Sequence, residues 1–430
     1  MADLVVRGGI VAGETIDIAV ADGVVAARGP DLPGGRKELD ASGLIVLPGS
    51  VDAHVHLNDP GRAGWEGIPT GTRALAAGGT TTAVDMPLNS SPPTVDGAAF
   101  AAKADAIAGR SYVDLALWGG LVPGPLDRLD ELAECGVVGF KAFMCDSGIG
   151  DFPRVDDDTL AEGMRRAAAL GLPVAVHAED EAVTQRLTSE ARRAGATGAR
   201  AWLATRPPET ETSAITRAIL LAEETGCALH VVHVSTAAGV ALVAEARARG
   251  VDVTCETCPH YLLLDETAVE TIGALAKCAP PLRPATIRAE LLAEVRRGVV
   301  DTIGSDHSPA PAAMKNDLDF FAVWGGISGA QTLLQAVLEL DLPPRLVSAS
   351  PAALLGLSRK GRLEPGFDAD LVLVEARPTT LTTDDLHYHH RHSPYVGRTF
   401  AHRVAHTLLR GQTVWDGAAF ATPPGRLIRR

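Results

Sequence analysis

Two histidines one residue apart, His54 and His56, close the apolar run in LIVLPGSVDAHVHLNDPGR. Side chains two apart on a strand share a face, so both imidazoles reach one point, and a divalent cation is the usual occupant of such a point. Taken alone, the pair also suits two polar residues on one strand face. Three further donors stand in matching contexts: His177 in LPVAVHAED, His233 in LHVVHVST and Asp306 in VDTIGSDHSP. Each ends a short apolar run just before polar or small residues, and that recurrence favours metal ligation.

Four imidazoles and one carboxylate exceed what a single tetrahedral zinc needs. They suit two metals joined by a bridging water or hydroxide, the arrangement of two-metal hydrolases. Asp306 reads as a terminal ligand and proton acceptor, which leaves the pair of cations without an anionic bridge. Lys141, in VVGFKAFM, is the candidate. A lysine at the end of an apolar strand is costly as a bare ammonium. Burial lowers its pKa, and the neutral amine reacts with CO2 to give a carbamate, a bidentate anion. By itself Lys141 suits a lysine paired with a nearby carboxylate. Among four strand-end histidines and an aspartate, the carbamate, an N6-carboxylysine, is the better reading.

The elements that must carry these residues are legible as eight apolar runs: LIVLPGSVDAHVH, GTTTAVDMP, VDLALWGGL, VVGFKAFM, LPVAVHAED, LHVVHVST, VDVTCETCPHYL and VDTIGSDHSP. Helical patterns such as DDTLAEGMRRAAALG and ETSAITRAILLAEETG lie between them. Strands alternating with helices imply βαβ units and a parallel sheet, and eight units imply an α/β fold of the TIM type, a (β/α)8 barrel whose strand ends form the catalytic face. An open doubly wound sheet is the rival, but no G-x-G-x-x-G opens a helix after the first strand. Both chain ends read as short Gly-broken β runs. They are expected to pair into one small β-sandwich domain built from residues 1–48 and 356–430, with the barrel, 49–355, inserted between them.

Charged residues make up 21% of the 430-residue chain and the net charge is −14, with no basic stripe. Nucleic acid and anionic membrane are therefore poor partners. No apolar run is long enough to span a bilayer, and the N-terminus lacks the pattern of a signal peptide, so the expected compartment is the cytoplasm. The six cysteines are expected to be reduced thiols. Cys255-x-x-Cys258 has no second ligand pair at zinc-finger spacing. The His-rich segment 387–392 reads as a surface loop.

The ordered set His54-x-His56, Lys141, His177, His233, Asp306 resembles the amidohydrolase superfamily, in the branch of cyclic amidohydrolases that holds dihydropyrimidinases or hydantoinases, dihydroorotases and allantoinases. The resemblance spans nearly the whole chain, including the GRLEPGFDADLVLVE restart of the β-domain. It implies one metal held by His54, His56, carboxylated Lys141 and Asp306, and a second held by the carbamate, His177 and His233. Zinc is the expected metal, with cobalt, manganese and iron compatible with the ligands. The activated water attacks a ring amide carbonyl, and Asp306 moves the proton to the leaving nitrogen. The resemblance also implies a homotetramer acting on a small cyclic amide. Scaffold proteins of this branch lose metal ligands, and this chain retains all six.

Within the branch, the stretch from HVHLNDPGR to DMPLNSSPPT, with WGGISG and SPYVGR, is most similar to allantoinases, which open allantoin to allantoate. Dihydroorotases place an arginine two residues after the second histidine to grip a carboxylate. Here that residue is Asn58, which cannot form the charged fork. Hydantoinases carry a tyrosine soon after the carboxylated lysine, and AFMCDSGIG has none. Asn58 and Asn89 offer donors and acceptors to an amide-rich ring, and Ser308 is placed to bond the ring through its backbone. Ala310 departs from the cysteine common in allantoinases. His260 and His307 are expected in supporting roles, and Gly325 and Gly326 where backbone comes close to the site.

Overall fold

All eight apolar runs become parallel strands in the computed structural model, which describes residues 1–430. They are Ser50–Val55, Thr80–Asp85, Asp114–Leu117 continued past Trp118 by Gly119–Gly120, Phe140–Phe143, Val174–His177, Leu229–Val231, Val253–Thr257 and Thr302–Ile303. Each pairs in register with the next. A parallel bridge between Val55 and His307 brings the last strand beside the first, and the His56 N–H donates to the His307 carbonyl at 2.8 Å. The result is a (β/α)8 barrel of TIM type. Its strands read as unbroken apolar runs because helices cover the outer face and side chains fill the inner one. Every residue of Ser50–Val55, Thr80–Asp85, Phe140–Phe143 and Val174–His177 is buried.

Helices begin and end where local chemistry dictates. Asp157–Ala169 is capped by the Asp156 carboxylate, which accepts from the Thr159 amide, and buries Leu160, Met164 and Ala167 along one face. Pro208–Thr225 opens on a proline, which has no amide to leave unpaired. It stops at Gly226, whose φ of 69° is the left-handed turn that favours glycine.

The two chain ends meet in one eight-stranded sheet. Leu371–Glu375 runs antiparallel to Ile45–Pro48 on one side and to Arg403–Leu409 on the other. Val6, Ile18, Val20, Val46, Leu371 and Leu408 build its separate core. Between its C-terminal strands the chain returns to the barrel, where Leu386, Tyr388, Tyr395 and Phe400 join the main core. Lys360 ties the two parts together. Its ammonium lies 2.6 Å from Asp114, on a barrel strand, and 2.8 Å from Asp370, which leads into the sheet. All six cysteines are free, and no helix is long and apolar enough to cross a membrane.

Candidate metal centre

His54, His56 and Asp306 converge at the C-terminal end of the barrel, their donor atoms all within 4.8 Å of one another. His54 Nε2 and His56 Nε2 lie 3.3 and 3.5 Å from Asp306 Oδ1. The His233 ring is 5.5 Å from that of His54 and 4.6 Å from that of His177. Lys141 is fully buried, and its ammonium lies 5.2 Å from the ring of Phe143, on which His177 stacks at 4.6 Å. The six residues named from the sequence thus share one end of the barrel. Two of them sit in strained backbone: His233 has φ 42° and Asp306 φ 44°, the left-handed region costly for residues other than glycine.

Three of the four imidazoles have one nitrogen spoken for. His54 Nδ1 is 2.8 Å from Glu256 Oε1. His56 Nδ1 donates to the Leu88 carbonyl at 2.9 Å, and His177 Nε2 is 2.9 Å from Glu179 Oε2. These outer contacts orient the rings and leave the other nitrogen for a cation. Burial holds His54, His177 and His233 below the ordinary imidazole range, so they are neutral imidazoles. Burial alone would raise Asp306, but the His54 and His56 rings against its carboxylate oxygen hold it well below the usual carboxylate range. Glu256 shows the same balance: the nearby His230 ring and the hydrogen bond with His54 outweigh burial and bring it down to about 2.

The donor set fits a divalent metal. Neutral imidazoles and an ionised carboxylate are what such a cation requires, and two buried nitrogens, Lys141 Nζ and His233 Nδ1, have no hydrogen-bond partner. Lys141 has no carboxylate partner of the kind an ordinary buried lysine needs, and burial pushes it down to about 7.

A cavity of about 400 Å³ opens onto these residues. Asn89 and Ser308 are in its wall. The Ser308 amide is already committed to the Ile327 carbonyl at 2.9 Å, so its carbonyl and hydroxyl are what it can offer. Asn58 is not among the residues that line the cavity. It is buried behind the wall, at φ 62°, and its side chain faces Pro309, donating to that carbonyl at 3.4 Å. Gly326 lies so close to Ser308 that a Cβ would stand 2.0 Å from the Ser308 carbonyl oxygen.

Sequence reasoning did not single out Glu256, Glu179, Arg206, Trp202, Lys277 or Trp324. Glu179 and Glu256 end apolar runs as the ligands do, and that was their available signal. Arg206 lines the cavity but is paired with Glu179 at 2.8 Å. His307 stacks on Tyr388 and accepts from the Gly329 amide, a supporting role. His260 is buried near Cys258 and Asp306. The His-rich segment packs against the loop at 64–66, through the His389 amide to Glu66 and the His390 ring to the Gly64 carbonyl.

The Amidohydrolase family profile matches residues 45–414. An allantoinase of Rubrobacter xylanophilus is 55% identical, over 99% of this chain and 97% of that protein. One of Escherichia coli is 45% identical, over 96% and 95%. Among solved structures, an L-hydantoinase (dihydropyrimidinase) from Arthrobacter aurescens superposes with a TM-score of 0.97 at 34% identity, covering all of both chains. A dihydropyrimidinase from Brevibacillus agri reaches 0.92 at 31%, over 99% and 98%. With barrel, strand-end donors and whole-length similarity in agreement, the chain belongs to the amidohydrolase family.

Proposed function

We propose that this chain is an allantoinase, hydrolysing the ring amide of allantoin to give allantoate. The observation that carries the reading is a full set of strand-end donors in a chain 55% identical, over nearly its whole length, to an allantoinase. The cavity walls agree with an uncharged substrate. Arg206 is neutralised by Glu179, and position 58, where a dihydroorotase would carry its carboxylate-binding arginine, is a buried asparagine.

In this reading His54, His56 and Asp306 would hold one divalent cation and His177 and His233 the other, and Lys141, once its neutral amine has added to CO2, would supply an anionic ligand to them. Zinc is the favoured ion, and cobalt, manganese and iron suit the same donors. Such cations, when bound, polarise an amide carbonyl and lower the pKa of water. Asp306 takes the proton that water loses as its oxygen adds to the ring carbonyl, and returns it to the ring nitrogen as the C–N bond breaks. Asn89 and Ser308 present the polar atoms that orient the ring. The reading includes a homotetramer in the cytoplasm, where six free thiols stay reduced, and a β-domain of residues 1–48 and 356–430 around a catalytic barrel of 49–355.

The nearness of hydantoinase structures favours a second reading, a hydantoinase or dihydropyrimidinase. A panel of allantoin, hydantoin, dihydrouracil and dihydroorotate decides. Allantoin is expected to have the highest kcat/KM. Faster turnover of another member overturns the substrate assignment, and no turnover of any by metal-loaded protein supports a scaffold role.

A further inference from the structure

The cavity wall opposite the strand ends is irregular backbone. Phe321 to Gly326 line it, and no helix or strand organises them. Two lysines do. Lys277, 4% exposed, donates from Nζ to the Phe320 carbonyl at 2.6 Å, to Val323 at 2.5 Å and, more weakly, to Phe321 at 3.4 Å. Its own carbonyl accepts from the Gly326 amide at 2.7 Å. Lys315, half-buried, donates to the Gly326 carbonyl at 2.7 Å, to Trp324 at 3.0 Å and to Ala274 at 3.4 Å.

Neither lysine forms an ion pair. An ammonium withdrawn from water without a carboxylate is expensive, and a purely structural clamp would be served by a neutral donor. What an ammonium adds is three donors fanned tetrahedrally, able to gather carbonyls that point in different directions. That is the geometry an irregular segment needs if it is to have one conformation. The clamp sets the position of Trp324, whose ring meets Trp65 edge-on at 5.0 Å, and seats Gly326 against Ser308.

We propose that Lys277 and Lys315 are positioning residues that hold Phe320–Gly326 as a preformed substrate wall, so that their loss is read in substrate affinity more than in chemistry. The inference takes only its substrate from the proposed reaction. Without the clamp, substrate must order the wall as it binds, which weakens binding of ground state and transition state alike.

The test uses metal-loaded Lys277→Met, Lys315→Met and Lys315→Arg, assayed with whichever cyclic amide the unaltered protein hydrolyses best. Each methionine variant is expected to raise KM about tenfold while kcat falls less than about threefold, with Lys315→Arg, which keeps a cationic donor, in between. Acrylamide should quench tryptophan fluorescence more readily in the methionine variants, a readout of Trp324 and Trp202 that needs no turnover. KM within about twofold of the unaltered protein in both methionine variants, or a fall in kcat with KM unchanged, overturns the proposal. If Lys277→Met does not fold, Lys315→Met decides alone. A preference of the unaltered protein for hydantoin would overturn the allantoin assignment and leave this comparison intact.

Discussion

Which nitrogen each imidazole turns inward is decided by partners far away in sequence. Glu256 holds His54 across 202 positions, and the Leu88 carbonyl holds His56 across 32. The strand-end donors themselves were legible, because a donor at the end of an apolar run is a local pattern. Their orienting partners were not, since nothing near Glu256 in the chain says which ring it will meet. Asn58 is oriented in the same way: its type suits an amide substrate, and its side-chain amide meets the Pro309 carbonyl 251 positions away. Two predictions belong at this scale. Asp306→Asn keeps an oxygen donor yet cannot accept a proton, so kcat should fall by roughly 10²–10⁴ with the fold retained, as steady-state kinetics and circular dichroism would show. Lys141, held to about 7 by burial, is mostly ammonium below that pH and mostly free amine above it. Only the amine adds CO2. Reactivation of metal-free protein by zinc and bicarbonate should therefore be markedly faster at pH 8 than at pH 6, and Lys141→Ala should lose the second metal and regain part of its activity with small carboxylic acids.

Among the elements, the strands work as rails that end at one level. Their positions could be read because parallel strands buried on both faces leave continuous apolar runs, and the helices because caps and 3.6-residue periodicity are local. The wall at 320–326 left no such trace. It has no periodicity, and its order comes from two lysines whose roles exist only in the folded chain. The last strand shows how closely elements are fitted: a Cβ on Gly304 would stand 2.7 Å from the Glu256 carboxylate. Gly304→Ala should displace Glu256, release its hold on His54 and weaken metal retention about 10–100-fold, the range typical when the partner of a ligating histidine is lost. Metal content after dialysis against a graded chelator series would measure it, and unchanged retention would show that the glycine serves only the strand.

For the whole molecule, Lys360 is one link between barrel and terminal sheet, beside the Arg410–Asp114 pair and the Thr407 hydroxyl that donates to the Ala76 carbonyl. Burial works against its charge, but Asp370, Asp114 and Asp368 outweigh it and raise its pKa above the ordinary lysine value. Lys360→Met would leave those carboxylates short of a partner in the interior. A loss of about 3–5 kcal/mol in unfolding free energy is expected, with metal release and loss of ellipticity coinciding in urea because sheet residues such as Val372, Val374 and Val404 belong to the barrel's hydrophobic core. Separate transitions would show that the parts unfold independently.

The sheet built from both chain ends also sets an order of events during synthesis. Pro48 and Leu371 pair across 323 residues (371 − 48). At roughly 5–20 residues per second, the ribosome takes roughly 16–65 seconds to supply Leu371 after Pro48. Through that interval Ile45, Val46 and Leu47 form an apolar edge awaiting its neighbour, the kind of edge that recruits other chains. The six residues of the candidate metal centre, 54 to 306, have all emerged before the edge is covered. A nascent chain can thus assemble its chemistry before it is sealed, whereas a chain broken off before residue 371 keeps its adhesive edge uncovered and becomes a substrate for chaperones and proteases.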